Sequence, residues 1–161
     1  MALVFDEGVV NRTTTQEEQS VFAVNAATGQ VVWADILGPG APTPPFKGCA
    51  ALMEHQGVVY TLSPVTHDEV AFQATTGHIL WKTPLPAVSH GAGVYINGHL
   101  LVLNGPYLSV LNALTGQILR SVKIGGNFGV VNPVIVGHTV FVTNGWGYAM
   151  AIPLSRLMPS S

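Results

Sequence analysis

One eleven-residue phrase occurs three times in this chain, with the same internal spacing each time. It reads Ala23-Val-Asn25-Ala-Ala-Thr28-Gly29-Gln-Val-Val-Trp33, then Ala71-Phe-Gln73-Ala-Thr-Thr76-Gly77-His-Ile-Leu-Trp81, then Val110-Leu-Asn112-Ala-Leu-Thr115-Gly116-Gln-Ile-Leu-Arg120. The copies begin 48 and then 39 residues apart. A period of this size restricts the fold to a solenoid or a propeller, because each repeat is one supersecondary unit that buries its apolar face only against its neighbours. The content of the repeat decides between the two.

Each phrase has the form of a β-hairpin. An apolar run enters a Thr-Gly turn, and a run rich in Val, Ile, Leu and Trp leaves it, as a pleated, half-buried surface favours. Upstream lie further apolar pairs broken at Gln56-Gly57, Asn97-Gly98 and Gly137. Asn-Gly between apolar runs is a strong signal for a tight hairpin. Each unit therefore reads as four short antiparallel strands, A to D, which is the make-up of a propeller blade. The predicted class is all-β, with about fourteen strands in four blades over residues 1–37, 48–85, 91–124 and 128–154 of a single domain spanning 1–161. The first blade lacks its A strand and the last its D strand, so the ring is incomplete. The missing blades are expected from the remainder of a larger propeller or, less readily, from a second copy pairing through the open edges.

The phrase also resembles the repeat of the quinoprotein-like, or PQQ-repeat, β-propeller family, Ala-x-Asp-x-x-Thr-Gly-x-x-x-Trp. Ala23, Ala71, the Thr-Gly pairs, Trp33 and Trp81 match it. Asn25, Gln73 and Asn112 stand for Asp, while Val110 and Arg120 depart from the pattern. The resemblance implies the fold over nearly the whole chain. It implies no single activity, because the family includes alcohol and sugar dehydrogenases, outer-membrane assembly scaffolds and sensor domains. The repeated residues read as structural: Ala for close approach, Asn or Gln to hydrogen-bond the turn, and Trp to wedge between blades.

Composition narrows the function. Charged residues are 9% of the chain and the net charge is −2, which offers no overall basic field for nucleic acid. Cys49 is the sole cysteine, so no internal disulfide and no thiolate metal site is expected. The apolar stretch after Phe128 is punctuated by Pro133, Gly137, Gly145 and Pro153 at hairpin distances, so no membrane insertion is expected. No signal peptide is visible at Met1-Ala-Leu-Val-Phe-Asp6. The neutral, Thr/Asn-rich surface suggests an extracytoplasmic protein of the periplasm or cell envelope.

In this connectivity the B–C and D–A loops share one face. The polar run Asn11–Ser20 and the Pro/Gly-rich run Gly38–Lys47 read as loop insertions there, and variable loops mark the binding face of a repeat protein. The candidate binding residues are Arg12, Lys47, His67, Asp68, His90 and Trp146. Catalytic patterns are thin. The resemblance to quinone-dependent dehydrogenases implies a Glu, an Asn and an Asp around PQQ and Ca²⁺, often above a Cys-Cys pair. This chain has no such pair, and Asp68-Glu69 reads as solvated acids. The histidines are scattered without metal-ligand spacing. The expected function is a non-catalytic scaffold that binds protein and carries no cofactor. The alternative is part of a PQQ-dependent dehydrogenase.

Overall fold

The computed structural model describes residues 2–11, 16–40, 51–88, 91–126, 131–144 and 146–158. They form fourteen strands in four antiparallel sheets. Blade 1 holds β1 (Ala2–Asn11), β2 (Gln16–Val24) and β3 (Val31–Gly40). Blade 2 holds β4 (Leu52–His55), β5 (Val58–Leu62), β6 (Asp68–Gln73) and β7 (Ile79–Pro84). Blade 3 holds β8 (Val94–Ile96), β9 (His99–Asn104), β10 (Tyr107–Asn112) and β11 (Ile118–Lys123). Blade 4 holds β12 (Val134–Val136), β13 (Thr139–Thr143) and β14 (Ala149–Pro153), followed by a single 3-10 turn, Leu154–Arg156. Every pairing is between consecutive strands, the meander expected of propeller blades.

The Thr-Gly turns close as their residues dictate. The Asn25 Oδ1 accepts from the backbone N–H of Ala27 (2.9 Å) and Thr28 (3.3 Å), and the Asn112 Oδ1 from Leu114 (2.9 Å) and Thr115 (3.0 Å). Gln73 is one methylene longer and instead accepts from the Thr76 hydroxyl (2.9 Å). Gly29, Gly77 and Gly116 all hold positive φ, which glycine reaches without a Cβ clash. Each hairpin then slips register at the same place, opposite Ala23/Val24, Ala71/Phe72 and Val110/Leu111, and the first slips again opposite Gln19/Ser20. The extra residues Val32 and Leu80 face solvent. This repeated bulge sharpens the twist of the outer strand and aims the next residue sideways.

That next residue is the tryptophan. Trp33 donates its Nε1–H to the Ala74 carbonyl (3.0 Å), and Trp81 donates to the Ala113 carbonyl (3.0 Å), each in the following blade. The indoles lie on the turn glycines. A Cβ added to Gly77 would sit 2.6 Å from Trp33, and one on Gly116 2.5 Å from Trp81. Trp33 also stacks with Phe72 at 6.1 Å, and Trp81 meets Tyr60 at a tilt with ring centroids 5.9 Å apart. Below these locks, apolar clusters fill each seam: Val21, Val59, Val70 and Phe72 between blades 1 and 2; Tyr60, Ala71, Leu100 and Leu111 between blades 2 and 3; Leu101, Leu108, Val110 and Val140 between blades 3 and 4.

The third seam is built differently. Leu154 N–H donates to the His138 carbonyl (2.8 Å), just as Ala74 N–H donates to Gly57 and Ala113 N–H to Gly98. That shared bond places Leu154 at the position of Ala74 and Ala113, and Leu157 at the position of Gly77 and Gly116. Leu157, 1% exposed, fills with its own side chain the space an indole would need, and Arg120 replaces the tryptophan opposite it.

One expectation about blade 1 is corrected. Gln16–Ser20 and Gly38–Gly40 are strand rather than loop, with Glu17 opposite Gly40 and Gln19 opposite Gly38. Their polar and glycine-rich composition suggested a loop. Each segment nevertheless finds a neighbour that satisfies its backbone, and pairing outweighs propensity.

Candidate functional site

The B–C turns and D–A loops meet on one face. The backbone N–H of Leu85 donates to the His67 carbonyl (2.9 Å), that of Gly105 to Val88 (2.9 Å), and that of Ile124 to Pro106 (2.9 Å). A repeated polar residue ends each B strand and shapes the turn. The Ser63 Oγ accepts from Thr66 N–H (2.9 Å). The Asn104 Nδ2 donates to the Ser109 Oγ (2.8 Å), which in turn bonds the Ser121 hydroxyl (2.9 Å). The Asn144 Oδ1 accepts from the backbone N–H of Trp146 (3.1 Å) and Tyr148 (3.0 Å). Sequence reasoning passed over this position. The signal for it was the pair Asn104-Gly105 and Asn144-Gly145, forty residues apart.

Of the six candidate binding residues, Arg12, Lys47 and His90 lie outside the described residues. His67 is exposed in the β5–β6 turn with a left-handed φ of 62°. Trp146 is 69% exposed and, with Tyr148, Met150, Ile124, Gly125 and Gly126, lines an apolar recess of about 380 Å³ between blades 3 and 4. Asp68 is corrected: it is buried, not a solvated loop acid. Its carboxylate pairs with Lys82 Nζ at 3.1 Å, and Lys82 also donates to the Leu37 carbonyl (2.9 Å), so this pair ties blade 2 to blade 1.

Glu69 is the second correction. It is 0% exposed, and neither carboxyl oxygen has a protein partner. Strand alternation explains the difference. Asp68, Val70 and Phe72 point toward blade 1, while Glu69 and Ala71 point toward blade 3. Glu69 therefore faces the seam between blades 2 and 3, on the side of the Leu62 and Val102 cluster. Desolvation pushes its pKa well above the usual carboxylate range. Burial, then the nearby Tyr95 and Glu69, raises the pKa of Tyr60.

These donors do not fit a quinone–calcium centre. Ca²⁺ takes several anionic and carbonyl oxygens at one point, whereas Asp68 is committed to Lys82 and Glu69, next along the strand, faces the opposite seam. Among the described residues no group of three His, Cys, Asp or Glu side chains converges as metal ligands.

The chain was compared with known proteins. The family model described as outer membrane protein assembly factor BamB matches residues 66–152. A tetrathionate hydrolase of Acidithiobacillus ferrooxidans is 40% identical over 144 residues, covering 86% of this chain and 29% of that protein. A tetrathionate hydrolase of Acidianus ambivalens is 39% identical over 112 residues, covering 64% of this chain and 21% of the relative. The chain thus spans less than a third of the length of these relatives. Among solved structures, BamB from Moraxella catarrhalis superimposes with a TM-score of 0.64 at 13% identity, covering 89% of this chain and 44% of that one. A quinohemoprotein alcohol dehydrogenase from Pseudomonas putida gives 0.56 at 22% identity, covering 63% and 18%. At these identities the structural neighbours establish the fold alone. The repeated Trp-on-Gly lock, the four-stranded blades and the matched family model together assign this chain to the PQQ-like β-propeller family.

Proposed function

We propose that this chain supplies four blades of a propeller that hydrolyses tetrathionate. The 40% identity over 144 residues to a protein of that activity carries the reading. Hydrolysis of a polythionate requires a proton for the departing sulfur anion and hydrogen-bond donors for the sulfonate oxygens. The group in this chain suited to the first role is Glu69, at the B–C end of β6, whose pKa burial pushes well above the usual carboxylate range. No cofactor is part of this reading; PQQ and Ca²⁺ belong only to the dehydrogenase alternative, which the donor set disfavours. An extracytoplasmic location accords with the low charge. Among the described residues no helix is long and apolar enough to cross a membrane.

A second reading is a non-catalytic scaffold that binds protein. It is favoured by the assembly-factor description of the matched family model and by two apolar sheet faces. Blade 1 exposes Val32 and Ile36; blade 4 exposes Val134, Val136 and Phe141. Further blades of the same propeller, or a second copy, suit such faces.

Turnover separates the readings. The whole propeller that carries these four blades, incubated with tetrathionate, with thiosulfate followed by ion chromatography from acid to neutral pH, is expected to consume substrate. Glu69→Gln in that protein is expected to lower the rate by about two orders of magnitude. Absence of tetrathionate consumption by the whole propeller at every pH would remove the hydrolase reading and leave the scaffold.

A further inference from the structure

The net charge of −2 conceals a division along the chain. All eight acidic residues lie at or before Glu69, while Lys82, Arg120, Lys123 and Arg156 lie beyond it with no Asp or Glu among them. Two of these four cations, Arg120 of β11 and Arg156 of the 3-10 turn, line one cleft with Val122 and Ile124. It has a volume of about 570 Å³ and lies between β11 and β14. Lys123 borders the same cleft but alternates to the opposite face of β11 from Val122. Val122, Ile124, Met150 and Ile152 form the apolar wall.

We propose that this cleft is a binding site for a small divalent oxyanion, held by Arg120 and Arg156. Two departures from the repeat face each other here. Arg120 stands where Trp33 and Trp81 lock the other seams. Arg156 replaces the turn threonine of Thr76 and Thr115, immediately before Leu157. Leu157 alone, by filling the place of the indole, suffices to close the core beneath; packing does not call for two arginines above it. Among the described residues neither arginine has a carboxylate partner, the ion pair there being Lys82–Asp68. Two like charges in one cleft repel each other, and a dianion relieves that repulsion. A guanidinium presents two parallel N–H groups that match adjacent oxygens of sulfate or phosphate. Ser155 adds a hydroxyl donor, and apolar walls strengthen each charge-assisted bond. The volume leaves room for an anion with part of its water. The site is independent of the hydrolase reading, since it contains no carboxyl group.

Sulfate is the probe, and titration calorimetry of the chain at fixed ionic strength, with chloride replacing sulfate in the control, is the test. Saturable binding at one site per chain is expected, absent with chloride. Arg120→Gln and Arg156→Gln should each weaken it about tenfold or more, and the double variant should abolish it. Unchanged thermal melts would show that the variants fold. A parallel titration with inorganic phosphate separates a general dianion site, where both bind, from one that selects sulfur oxyanions. Unsaturable sulfate uptake, or binding that survives the double variant, would overturn the proposal.

Discussion

The seam between blades 2 and 3 and the seam between blades 3 and 4 use the same backbone frame for different ends. In the first, Trp81 covers Gly116 and donates to Ala113, Thr83 donates to the Gly116 carbonyl (2.8 Å), and the Tyr60 hydroxyl reaches the same Ala113 carbonyl (3.3 Å). In the second, the equivalent turn is a 3-10 turn closed by Leu157, and the equivalent side chain is Arg120, exposed beside a cleft. Stability at a repeat interface needs an apolar plug, and either an indole from one side or a leucine from the other can supply it. Once Leu157 supplies it, position 120 is released from packing and is free to carry charge.

The largest effect expected from this contrast is at the indoles. Trp81→Ala and Trp33→Ala should each lose about 3–5 kcal/mol of stability, as large-to-small core changes do. Urea denaturation gives the value. A loss under about 1 kcal/mol would mean that the indole rests on the turn without holding it.

Gly116→Ala should cost about 2 kcal/mol or more, because the new methyl would meet Trp81 at 2.5 Å and φ is 73°. The matching change at Gly29, where a Cβ would meet nothing within 4 Å, carries only the backbone penalty. The difference between the two variants isolates the lock.

Glu69→Met should raise stability at neutral pH by about 1–3 kcal/mol, since an apolar side chain replaces two unpartnered buried oxygens. The sign of the pH dependence follows from the raised pKa. Below the ordinary glutamate value of 4.5 the carboxyl is protonated in both folded and unfolded chains. As pH rises through that value the unfolded chain releases the proton while the folded chain keeps it. Stability attributable to Glu69 therefore falls as pH rises, until the folded group itself ionises. Urea midpoints at about pH 4 and about pH 7 should converge in Glu69→Met relative to the parent. A parent that gains stability from this group with rising pH would contradict the burial of a neutral acid.

The smallest effect is expected at Arg120→Ala, within about 0.5 kcal/mol, as for an exposed residue outside the core. A cost near that of Trp81→Ala would mean that Arg120 bears on the seam despite its exposure.

The sequence made the frame legible because the frame repeats. Thr-Gly spacing located three hairpins, and Gln56-Gly57 and Asn97-Gly98, with positive φ at all four residues, located the inner turns. The bulge before each outer strand was not legible, since Val32, Leu80 and Leu119 are ordinary strand residues whose slip depends on three-dimensional twist. Asp68 and Glu69 were misread as solvated for a related reason. Adjacent residues on a strand face opposite seams, and a pair of acids at a strand's start gives no sign that both seams are closed above it. The cationic cleft was hidden by averaging, because a chain-wide charge does not report that every acid lies in the first 69 residues.

Exchanging the two kinds of plug tests the account most directly. Arg120→Trp places an indole where Leu157 already fills the space, and Leu157→Gly removes the leucine without a replacement. Each single change should destabilise. Together they should rebuild the lock of the other seams, with a favourable coupling of about 1–3 kcal/mol in a double-mutant cycle followed by urea denaturation. Strictly additive losses would contradict the claim that the indole and the leucine are alternative plugs for one site.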